Sequence, residues 1–253
     1  MPANNTTQPH AGRVALVTGT SRGIGQAIAV GLAERGAQVV LGDRGDASET
    51  IALIAGTGHK AVPVTLDVSD PSSIEAASQR VASELGRVDI LVNNAGTFEN
   101  ATWDDLDFDL WQHVMTVDLT GPMLMCKAFL PLMRGRGWGR VINLGSASVA
   151  SASPVSIAYR TAKMGVVGFT RALSATLGDE GITINAVLPS LTRTAMSEAV
   201  TPSIVDATLG RQVIHREAEP ADIAGSVFLL AADEAAWITG QTIMANGGNA
   251  FAL

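Results

Sequence analysis

Short apolar runs alternate with longer amphipathic segments from residue 13 onward. Each apolar run has the length of a strand and is rich in Val, Ile, Leu and Ala, and most of them end at a turn-forming residue. Because apolar residues fill both faces of these runs, we expect strands that are buried on both sides of a sheet. The predicted strands cover residues 13–19, 37–43, 61–68, 88–96, 139–146, 181–189 and 240–246.

The segments between these runs carry helical signals. Ile24, Ile28 and Leu32 recur at every fourth position, and Gly36 ends that helix. Pro71 is suited to open another helix, because proline fits the first helical turn. The other predicted helices cover about 47–56, 104–133 with an interruption near Gly121–Pro122, 155–178 and 220–232, whereas residues 190–219 are less regular.

The alternation of strands and helices continues without a linker or a change of composition. Strands joined through helices pair in parallel, and right-handed crossovers put helices on both faces of the sheet. The predicted fold class is therefore α/β, a single-domain Rossmann-type, doubly wound and mainly parallel seven-stranded sheet. We expect residues 13–253 to form this domain and residues 1–12 to be a polar, poorly ordered lead.

Composition supports a large core and narrows the possible partners. The 253 residues are 47% hydrophobic and 16% charged, and the net charge of −7 argues against binding to nucleic acid.

The single cysteine, Cys126, lies in an apolar run, so we expect a core residue and no intrachain disulfide. No run is long enough to cross a membrane and no signal-peptide core is present, so we expect a cytoplasmic protein. The four histidines show no ligand spacing, so we expect no metal site.

A glycine-rich loop, Thr18–Gly25, joins the first strand to the first helix. Its glycines let the backbone turn tightly and approach a pyrophosphate, and the start of the helix favours the anion. Asp43 ends the second strand 18 residues after Gly25, where a carboxylate can accept hydrogen bonds from an adenosine ribose. This combination predicts a dinucleotide site.

Ser146, Tyr159 and Lys163 form the candidate catalytic group. If the segment after Pro154 is helical, Tyr159 and Lys163 lie one turn apart on the same face. An ammonium about 5 Å from a phenol is worth about 3 kcal/mol, which predicts a phenol pKa roughly two units below its usual value. Such a phenol can give and take a proton near neutral pH, while the Ser146 hydroxyl holds a substrate oxygen. The pattern predicts proton transfer at a C–O group, although the same Tyr–Lys spacing also occurs on helices without a function.

In combination, the motifs resemble the short, single-domain branch of the short-chain dehydrogenase/reductase superfamily over about residues 12–249. Each motif is weak alone, but their order and spacing are specific. The matching motifs are Thr18–Gly25, Asp67-Val68, Asn93-Asn94-Ala95-Gly96, Ser146, Tyr159 with Lys163, Asn185, Pro189 with Thr194, and residues 238–248. The resemblance implies an NAD(P)-dependent oxidoreductase that interconverts a secondary alcohol and a ketone by hydride transfer.

The resemblance also implies a role for each matching residue. Tyr159 is the implied acid/base, Lys163 holds the nicotinamide ribose and lowers the tyrosine pKa, and Ser146 holds the substrate oxygen. Thr194 is implied to hold the nicotinamide carboxamide. The other implied cofactor residues are Gly19, Ser21, Arg22, Gly23, Ile24, Gly25, Asp43, Arg44, Asp67, Val68, Asn93, Asn94, Ala95, Gly96, Pro189 and Thr192.

Three positions depart from the usual residues of this family. Asp118 stands in the long helix where Asn is usual, and its implied catalytic role rests on a main-chain carbonyl that holds a water linked to the lysine. Its added charge could slightly oppose the effect of Lys163 on Tyr159, and we expect Asp118→Asn to retain activity within about tenfold. Ser190 replaces the usual Gly after a proline, and Asn246 replaces a common Asp far from the chemistry.

The sequence indicates the cofactor preference and the substrate less directly than it indicates the type of reaction. Asp43 disfavours a ribose 2′-phosphate, whereas Arg22 and Arg44 could bind one, so we expect NAD(H) with NADP(H) as the alternative. Apolar residues in the implied substrate wall, such as Val149 and Met196, favour a small, mainly apolar alcohol or ketone. Within the superfamily the chain looks most like aryl-alkyl alcohol and pyridoxal dehydrogenases.

Two other functions stay open. A 3-oxoacyl thioester reductase, acting on an acyl-carrier-protein or CoA thioester, shares the same fold, and a basic patch at the mouth of the site would favour it because the carrier is acidic. A non-catalytic dinucleotide-sensing protein is the alternative of another class, although such proteins usually lose the tyrosine or the lysine. The resemblance further implies a homotetramer, which pairs the helical region 104–133 with the helix after Pro154 across one axis and C-terminal strands across another.

Overall fold

Seven strands form one sheet in the computed structural model, which describes residues 8–251 except for the side chain of Ala199. The strands are β1 (Val14–Thr18), β2 (Gln38–Asp43), β3 (Ala61–Thr65), β4 (Ile90–Asn93), β5 (Gly139–Leu144), β6 (Ile182–Pro189) and β7 (Thr242–Ala245). Their order is β3-β2-β1-β4-β5-β6-β7, and every neighbouring pair is parallel. The predicted doubly wound sheet is confirmed, although each strand is shorter than the run that predicted it.

Every predicted helix is present; the one predicted to open at Pro71 begins there, and the others start later or end earlier than predicted. The helices in the described part of the chain are α1 (Gly23–Glu34), α2 (Ser48–Gly56), α3 (Pro71–Leu85), α4 (Phe108–Met115), α5 (Gly121–Met133), α6 (Ile157–Ser174), α7 (Pro202–Arg211) and α8 (Pro220–Ala231). The segment predicted to be less regular contains α7. Proline stands at the first position of α3, α7 and α8, where its missing N–H costs nothing.

The predicted interruption of the long helical region is a π turn rather than a break. α4 continues through the π turn Thr116–Thr120 directly into α5. The helix also starts later than predicted, because the Asp107 carboxylate accepts a hydrogen bond from Leu110 N at 2.7 Å and caps α4. π turns often mark functional positions, and Asp118 lies fully buried in this one.

Helices cover both faces of the sheet. Ile28 and Leu32 of α1 pack with Val227 of α8 in the core on one face. Met125 and Phe129 of α5 belong to the core on the other face, which α3 also covers. Successive strand residues point alternately into these two cores, and this explains why the strands are continuously apolar.

Polar contacts tie the carboxyl ends of β1 and β4 together. β1 has β2 on one side and β4 on the other, so the order of the strands reverses at this point. Thr18 Oγ1 accepts hydrogen bonds from the backbone N of Asn94 at 3.0 Å and of Ala95 at 2.9 Å. In return, Asn94 Nδ2 donates to the carbonyl oxygens of Thr18 at 2.8 Å and Gly19 at 3.1 Å. Ligands of open α/β sheets bind at such a switch point.

The packed domain begins before residue 13. Residues 1–7 of the predicted lead lie outside the described residues, but residues 8–12 form a turn next to the end of α1. His10 is buried there, its backbone N donates to Arg35 O at 2.9 Å, and burial lowers its imidazole pKa to about 4. Backbone groups of residues 8–12 thus pair with the end of α1, and the boundary between lead and domain stays a prediction.

Within residues 8–251, no helix combines the length and apolar character needed to span a membrane. In the same part of the chain, His, Cys, Asp and Glu side chains form no group of three or more that could hold a metal ion. Cys126 is a free thiol in the core, as its apolar surroundings in the sequence predict, and burial raises its pKa to about 12.

Gly181, which leads into β6, lies where a side chain is not tolerated. Its φ is +69°, in the region that favours glycine, and a Cβ would overlap the backbone oxygen of Gly137. We expect Gly181→Ala to lower the free energy of unfolding by about 2 kcal/mol or more, because backbone strain and the clash add. Denaturation in urea measures this loss. Gly178→Ala is the control, since its Cβ would meet no atom within 4 Å, and equal stability of the two variants would contradict the prediction.

Candidate active site

A cleft opens at the carboxyl edge of the sheet, at the switch point between β1 and β4. It is lined by the loop after β1, by the ends of β2 and β4, by α6 and by the segment after β6. The predicted site residues on its wall are Gly19, Ser21, Arg22, Gly23, Ile24, Gly25, Asp43, Arg44, Asp67, Val68, Asn94, Ala95, Gly96, Ser146, Tyr159, Lys163, Pro189 and Thr194. The fold thus brings the dinucleotide motif and the candidate catalytic group into one site.

The glycine-rich loop forms part of this wall and leads into α1. Gly19 and Gly23 have φ values of +71° and +64°, and a Cβ on Gly25 would overlap the carbonyl oxygen of Gly19. The side chain of Arg22 does not cap α1, and the first turn of the helix has no acidic residue. The first amides of α1 therefore keep hydrogen-bonding capacity at the positive end of the helix. This donor set fits a diphosphate.

The Asp43 carboxylate lies at the end of β2. Its Oδ2 accepts a hydrogen bond from Ser21 N at 2.7 Å, and its Oδ1 accepts one from Gly45 N at 2.8 Å. Each oxygen retains a further lone pair that a ribose hydroxyl can use. Arg44 is exposed beside it, and its Nη1 lies 4.0 Å from Oδ2 of Asp67.

Lys163 is buried one turn after Tyr159 on α6, as the sequence spacing predicts. Its Nζ donates to the carbonyl oxygen of Leu144 at 3.2 Å, pairs with Oδ1 of Asp118 at 3.4 Å, and lies 5.6 Å from the centre of the Tyr159 ring. Burial lowers the pKa of Lys163, but the charges of Asp118 and of an ionised Tyr159 outweigh burial and raise it overall. The ammonium therefore stays charged near neutral pH.

Asp118 lies behind Lys163 rather than on the cleft wall. Its side chain is fully buried, and its Oδ1 also accepts a hydrogen bond from Thr97 N at 3.0 Å. Its Oδ2 has no hydrogen-bond partner among the described residues. Burial raises the pKa of this carboxyl, although the Lys163 ammonium opposes the change.

The pKa of Tyr159 is shifted in the direction opposite to the sequence prediction. Burial raises the pKa of the phenol, Lys163 lowers it, and the Asp118 carboxylate raises it again. Burial and the carboxylate outweigh the ammonium, so the pKa lies above the usual value. The predicted decrease is wrong for the protein alone, because it counted the cation but neither the desolvation of the phenol nor the size of the effect of Asp118.

Ser146 stands at the end of β5, next to the phenol. Its Oγ donates to Ser148 Oγ at 2.9 Å and accepts a hydrogen bond from Ser148 N at 3.2 Å. A hydrogen bond with Ser146 also lowers the pKa of Tyr159, although burial of the phenol has the larger and opposite effect. Because a hydroxyl can rotate, Ser146 is able to donate to a substrate oxygen instead.

Three motif residues are not brought to the cleft. Thr192 is buried, and its Oγ1 donates to the carbonyl oxygen of Ser190 at 2.9 Å. Asn93 is buried and donates from Nδ2 to Oδ1 of Asn143 at 2.8 Å. Asn185 donates from Nδ2 to a carbonyl oxygen of the segment before β7 at 2.7 Å. The side chains of these residues hold the framework of the site.

The expected apolar substrate wall is only partly apolar. Met196 lines the cleft, whereas Val149 packs with the core residue Leu188. A more open hollow next to Thr194 is lined by apolar and charged side chains together, among them Leu191 and Glu217. The structure therefore does not define a uniformly apolar substrate wall.

Comparison with known proteins identifies the family. Residues 19–250 match the family described as enoyl-(acyl carrier protein) reductase. The chain is 40% identical over 237 residues to the 3-oxoacyl-[acyl-carrier-protein] reductase of Vibrio cholerae, covering 94% of this chain and 97% of that protein. The chain is a member of the short-chain dehydrogenase/reductase superfamily.

Other similar members of the superfamily are described as acting on different substrates. The chain is 39% identical over 239 residues to the cis-4-hydroxycyclohexanecarboxylate dehydrogenase of Sinomonas cyclohexanicum, covering 93% of this chain and 96% of that protein. A Beutenbergia cavernae protein described as an NAD(P)-dependent gluconate 5-dehydrogenase was crystallised with NADP at low occupancy. It superposes with a TM-score of 0.89 at 34% identity, over 96% of this chain and 98% of that one. The present short-chain dehydrogenase/reductase is thus an NAD(P)-dependent oxidoreductase acting on CH–OH and C=O groups.

Glu99 supports the site of this dehydrogenase/reductase, although no motif points to it. Only 7% of the residue is exposed. Its carboxylate accepts hydrogen bonds from Tyr159 N at 3.3 Å and from Ala101 N at 2.6 Å, and so stabilises the start of α6. In the sequence Glu99 is indistinguishable from a solvated charge, because its burial depends on the packing of the loop after β4.

Arg160 is the second residue that sequence reasoning missed. It follows Tyr159 on α6, and its Nη1 donates to the carbonyl oxygens of Ser148 and Ser151, the latter at 2.7 Å. The arginine therefore ties the segment after Ser146 to the helix that carries the phenol. An arginine inside a helix carries no signal for such a contact, because its partner carbonyls belong to another segment.

Proposed function

We propose that this dehydrogenase/reductase interconverts a small secondary alcohol and its ketone, with NAD(H) as the favoured cofactor. The observation that carries the proposal is the presence of Ser146, Tyr159 and Lys163 in the same cleft as the glycine-rich loop. A proton donor, a hydroxyl that can hold an oxygen and a fixed cation are the groups that such a reaction needs beside a dinucleotide.

Each residue of this group has its own role in the proposal. The Ser146 hydroxyl holds the substrate oxygen within reach of Tyr159. The phenol gives its proton to that oxygen during ketone reduction and takes the proton back during alcohol oxidation. Lys163 holds the nicotinamide ribose and stabilises the phenolate. A bound nicotinamide supplies the hydride for reduction or accepts it in oxidation.

The remaining motif residues hold the dinucleotide in this proposal. The amides at the start of α1 bind its diphosphate, with Gly19 and Gly23 allowing the close approach. Asp43 accepts hydrogen bonds from the adenosine ribose, and the segment after β3 contributes Asp67 and Val68 to the adenine pocket. Thr194 holds the nicotinamide carboxamide.

Charge near the site favours a small, free substrate over a thioester on an acidic carrier protein. Four aspartates between residues 104 and 109 are exposed on the segment that leads into α4 and on the first turn of this helix. This segment lies close to the approach to α6, because Thr102 and Val155 form an antiparallel bridge. An acidic carrier would be repelled here. A basic patch at the mouth of the site would have favoured such a substrate.

Reduction of a 3-oxoacyl thioester is the second candidate. The observation that favours it is the 40% identity to the Vibrio cholerae reductase over nearly the whole chain. A CoA thioester has the same reacting group without the acidic carrier protein. Activity on it therefore tests the reduction itself, independently of how a carrier protein binds.

A substrate panel distinguishes these functions. We expect turnover of cyclic and aryl secondary alcohols or their ketones, followed by nicotinamide absorbance, at a kcat/KM at least about tenfold above that of acetoacetyl-CoA. A higher kcat/KM for the thioester would support the second candidate. Binding of NADH without turnover of any alcohol, ketone or thioester would instead support the non-catalytic sensing function.

Tyr159→Phe tests the acid/base role. Because the variant lacks the ionisable hydroxyl, we expect kcat to fall by about 10³-fold or more, while the Kd for NADH changes by less than about threefold. Steady-state kinetics measure kcat, and a fluorescence titration with NADH measures the Kd. Near-native turnover by this variant would contradict the proposed mechanism.

Asp43→Ala tests the cofactor preference. Removing the carboxylate removes the repulsion of a ribose 2′-phosphate, so we expect the ratio of kcat/KM for NADP to that for NAD to rise by about tenfold or more. Asp46→Ala is the matched control, because this exposed aspartate lies three residues farther along the chain and does not line the cleft. An unchanged ratio in Asp43→Ala would show that another residue selects the cofactor.

The proposal includes a homotetramer. Exposed apolar side chains support it on both of the expected interfaces, with Phe108 and Met164 on the α4–α6 surface and Leu229 and Trp237 on the side of α8 and β7. Sedimentation equilibrium measures the assembly. A cytoplasmic location stays a prediction.

A further inference from the structure

Asp118 and Lys163 form a buried ion pair beside the phenol. The side chain of Asp118 is fully buried and that of Lys163 is 6% exposed, with 3.4 Å between Oδ1 and Nζ. Thr97 N is the second donor to Oδ1, and Oδ2 has no partner in residues 8–251. This carboxylate is thus only partly compensated by hydrogen bonds, and its charge acts on the groups around it.

Two further charged groups near Tyr159 hold backbone groups, and the charge of Arg160 also lowers the pKa of the phenol, although by less than Lys163 does. Arg160 on the same helix donates to backbone carbonyls, and Glu99 from the loop after β4 accepts from backbone N–H groups. His113 is exposed on α4, and its charge lowers the pKa of Asp118 rather than that of the phenol. The neutral neighbours are the Ser146 hydroxyl and Phe98, whose ring meets the Tyr159 ring edge to face at 5.2 Å.

The charge of this group decides how easily the phenol ionises. With a protonated phenol, Lys163 and Asp118 make a neutral pair, and ionisation of Tyr159 on the cleft wall leaves one uncompensated negative charge beside this buried pair. With an amide at position 118, the same ionisation would instead neutralise a single buried cation. A buried net charge is disfavoured, so the carboxylate shifts the equilibrium toward the protonated phenol.

We propose that Asp118 is a positioning residue whose carboxylate keeps Tyr159 protonated to higher pH and thereby favours ketone reduction over alcohol oxidation near neutral pH. Reduction uses the protonated phenol as acid, and oxidation needs the phenolate as base. Reduction is therefore maintained until pH rises through the pKa of the phenol, and oxidation begins only there. This consequence for catalysis rests on the proposed function, whereas the effect on the phenol does not.

The chain allows a direct measurement, because Tyr159 is its only tyrosine. Absorbance at 295 nm against pH reports ionisation of this phenol alone, with Tyr159→Phe as the blank. We expect the midpoint in Asp118→Asn to lie about one pH unit, or tenfold in proton concentration, below that of the wild type. Asp118→Ser is the second variant, should the amide not fold, and circular dichroism checks the fold of both.

Asp89→Asn is the matched control. Asp89 is also a buried carboxylate, it pairs with Arg87 and accepts a hydrogen bond from Val14 N at 2.8 Å. It precedes β4 and so lies at the opposite edge of the sheet from the cleft. We expect this variant to leave the midpoint within about 0.2 pH units of the wild type, since the charge it removes is distant and screened.

Kinetics then test the consequence. The lower limb of the pH profile of kcat/KM for alcohol oxidation should move to lower pH by the same amount in Asp118→Asn, while reduction at its own optimum stays within about tenfold. An unchanged midpoint would overturn the proposal, and a higher midpoint would show that Asp118 acts mainly by keeping Lys163 charged. A shifted midpoint in a protein that turns over no carbonyl or alcohol would support the electrostatic role and contradict the proposed function.

Discussion

The buried ammonium of Lys163 is the constraint on which the site depends. A cation removed from water costs several kcal/mol unless charges and hydrogen bonds compensate it. Its partners come from different elements, namely the Leu144 carbonyl at the end of β5, the Asp118 carboxylate in the π turn, and the Tyr159 ring on α6. These elements are therefore held in one arrangement, because a shift of any of them would expose an uncompensated charge.

The parallel sheet explains why one cleft contains both the dinucleotide motif and the proton-transfer group. All strands end at the same edge, so the loops after β1, β2, β4, β5 and β6 converge there. Thr18 and Asn94 hold the two central loops together by hydrogen bonds between backbone and side chains. Residues distant in the sequence thereby become neighbours, and α6 adds Tyr159 and Lys163 from one face of the sheet.

The fold and the catalytic group alone do not determine which substrate is bound. A 3-oxoacyl reductase and a hydroxycyclohexanecarboxylate dehydrogenase are 40% and 39% identical to this chain over nearly its full length. Such similarity fixes the fold and the type of reaction, while the substrate depends on the walls of the site and the charge around it. The substrate determinants that we propose for this protein are the segment that Arg160 holds, the hollow beside Thr194 and the aspartates around the start of α4.

The sequence by itself determined the strand and helix order, the glycine-rich loop and the one-turn spacing of Tyr159 and Lys163. These features depend on local periodicity and on backbone conformations that a few neighbouring residues set. Only the tertiary structure decided the direction of the Tyr159 pKa, the burial of Glu99 and the π turn that brings Asp118 to Lys163. Desolvation and the approach of a charge from another element are long-range effects, and no local pattern in the chain encodes them.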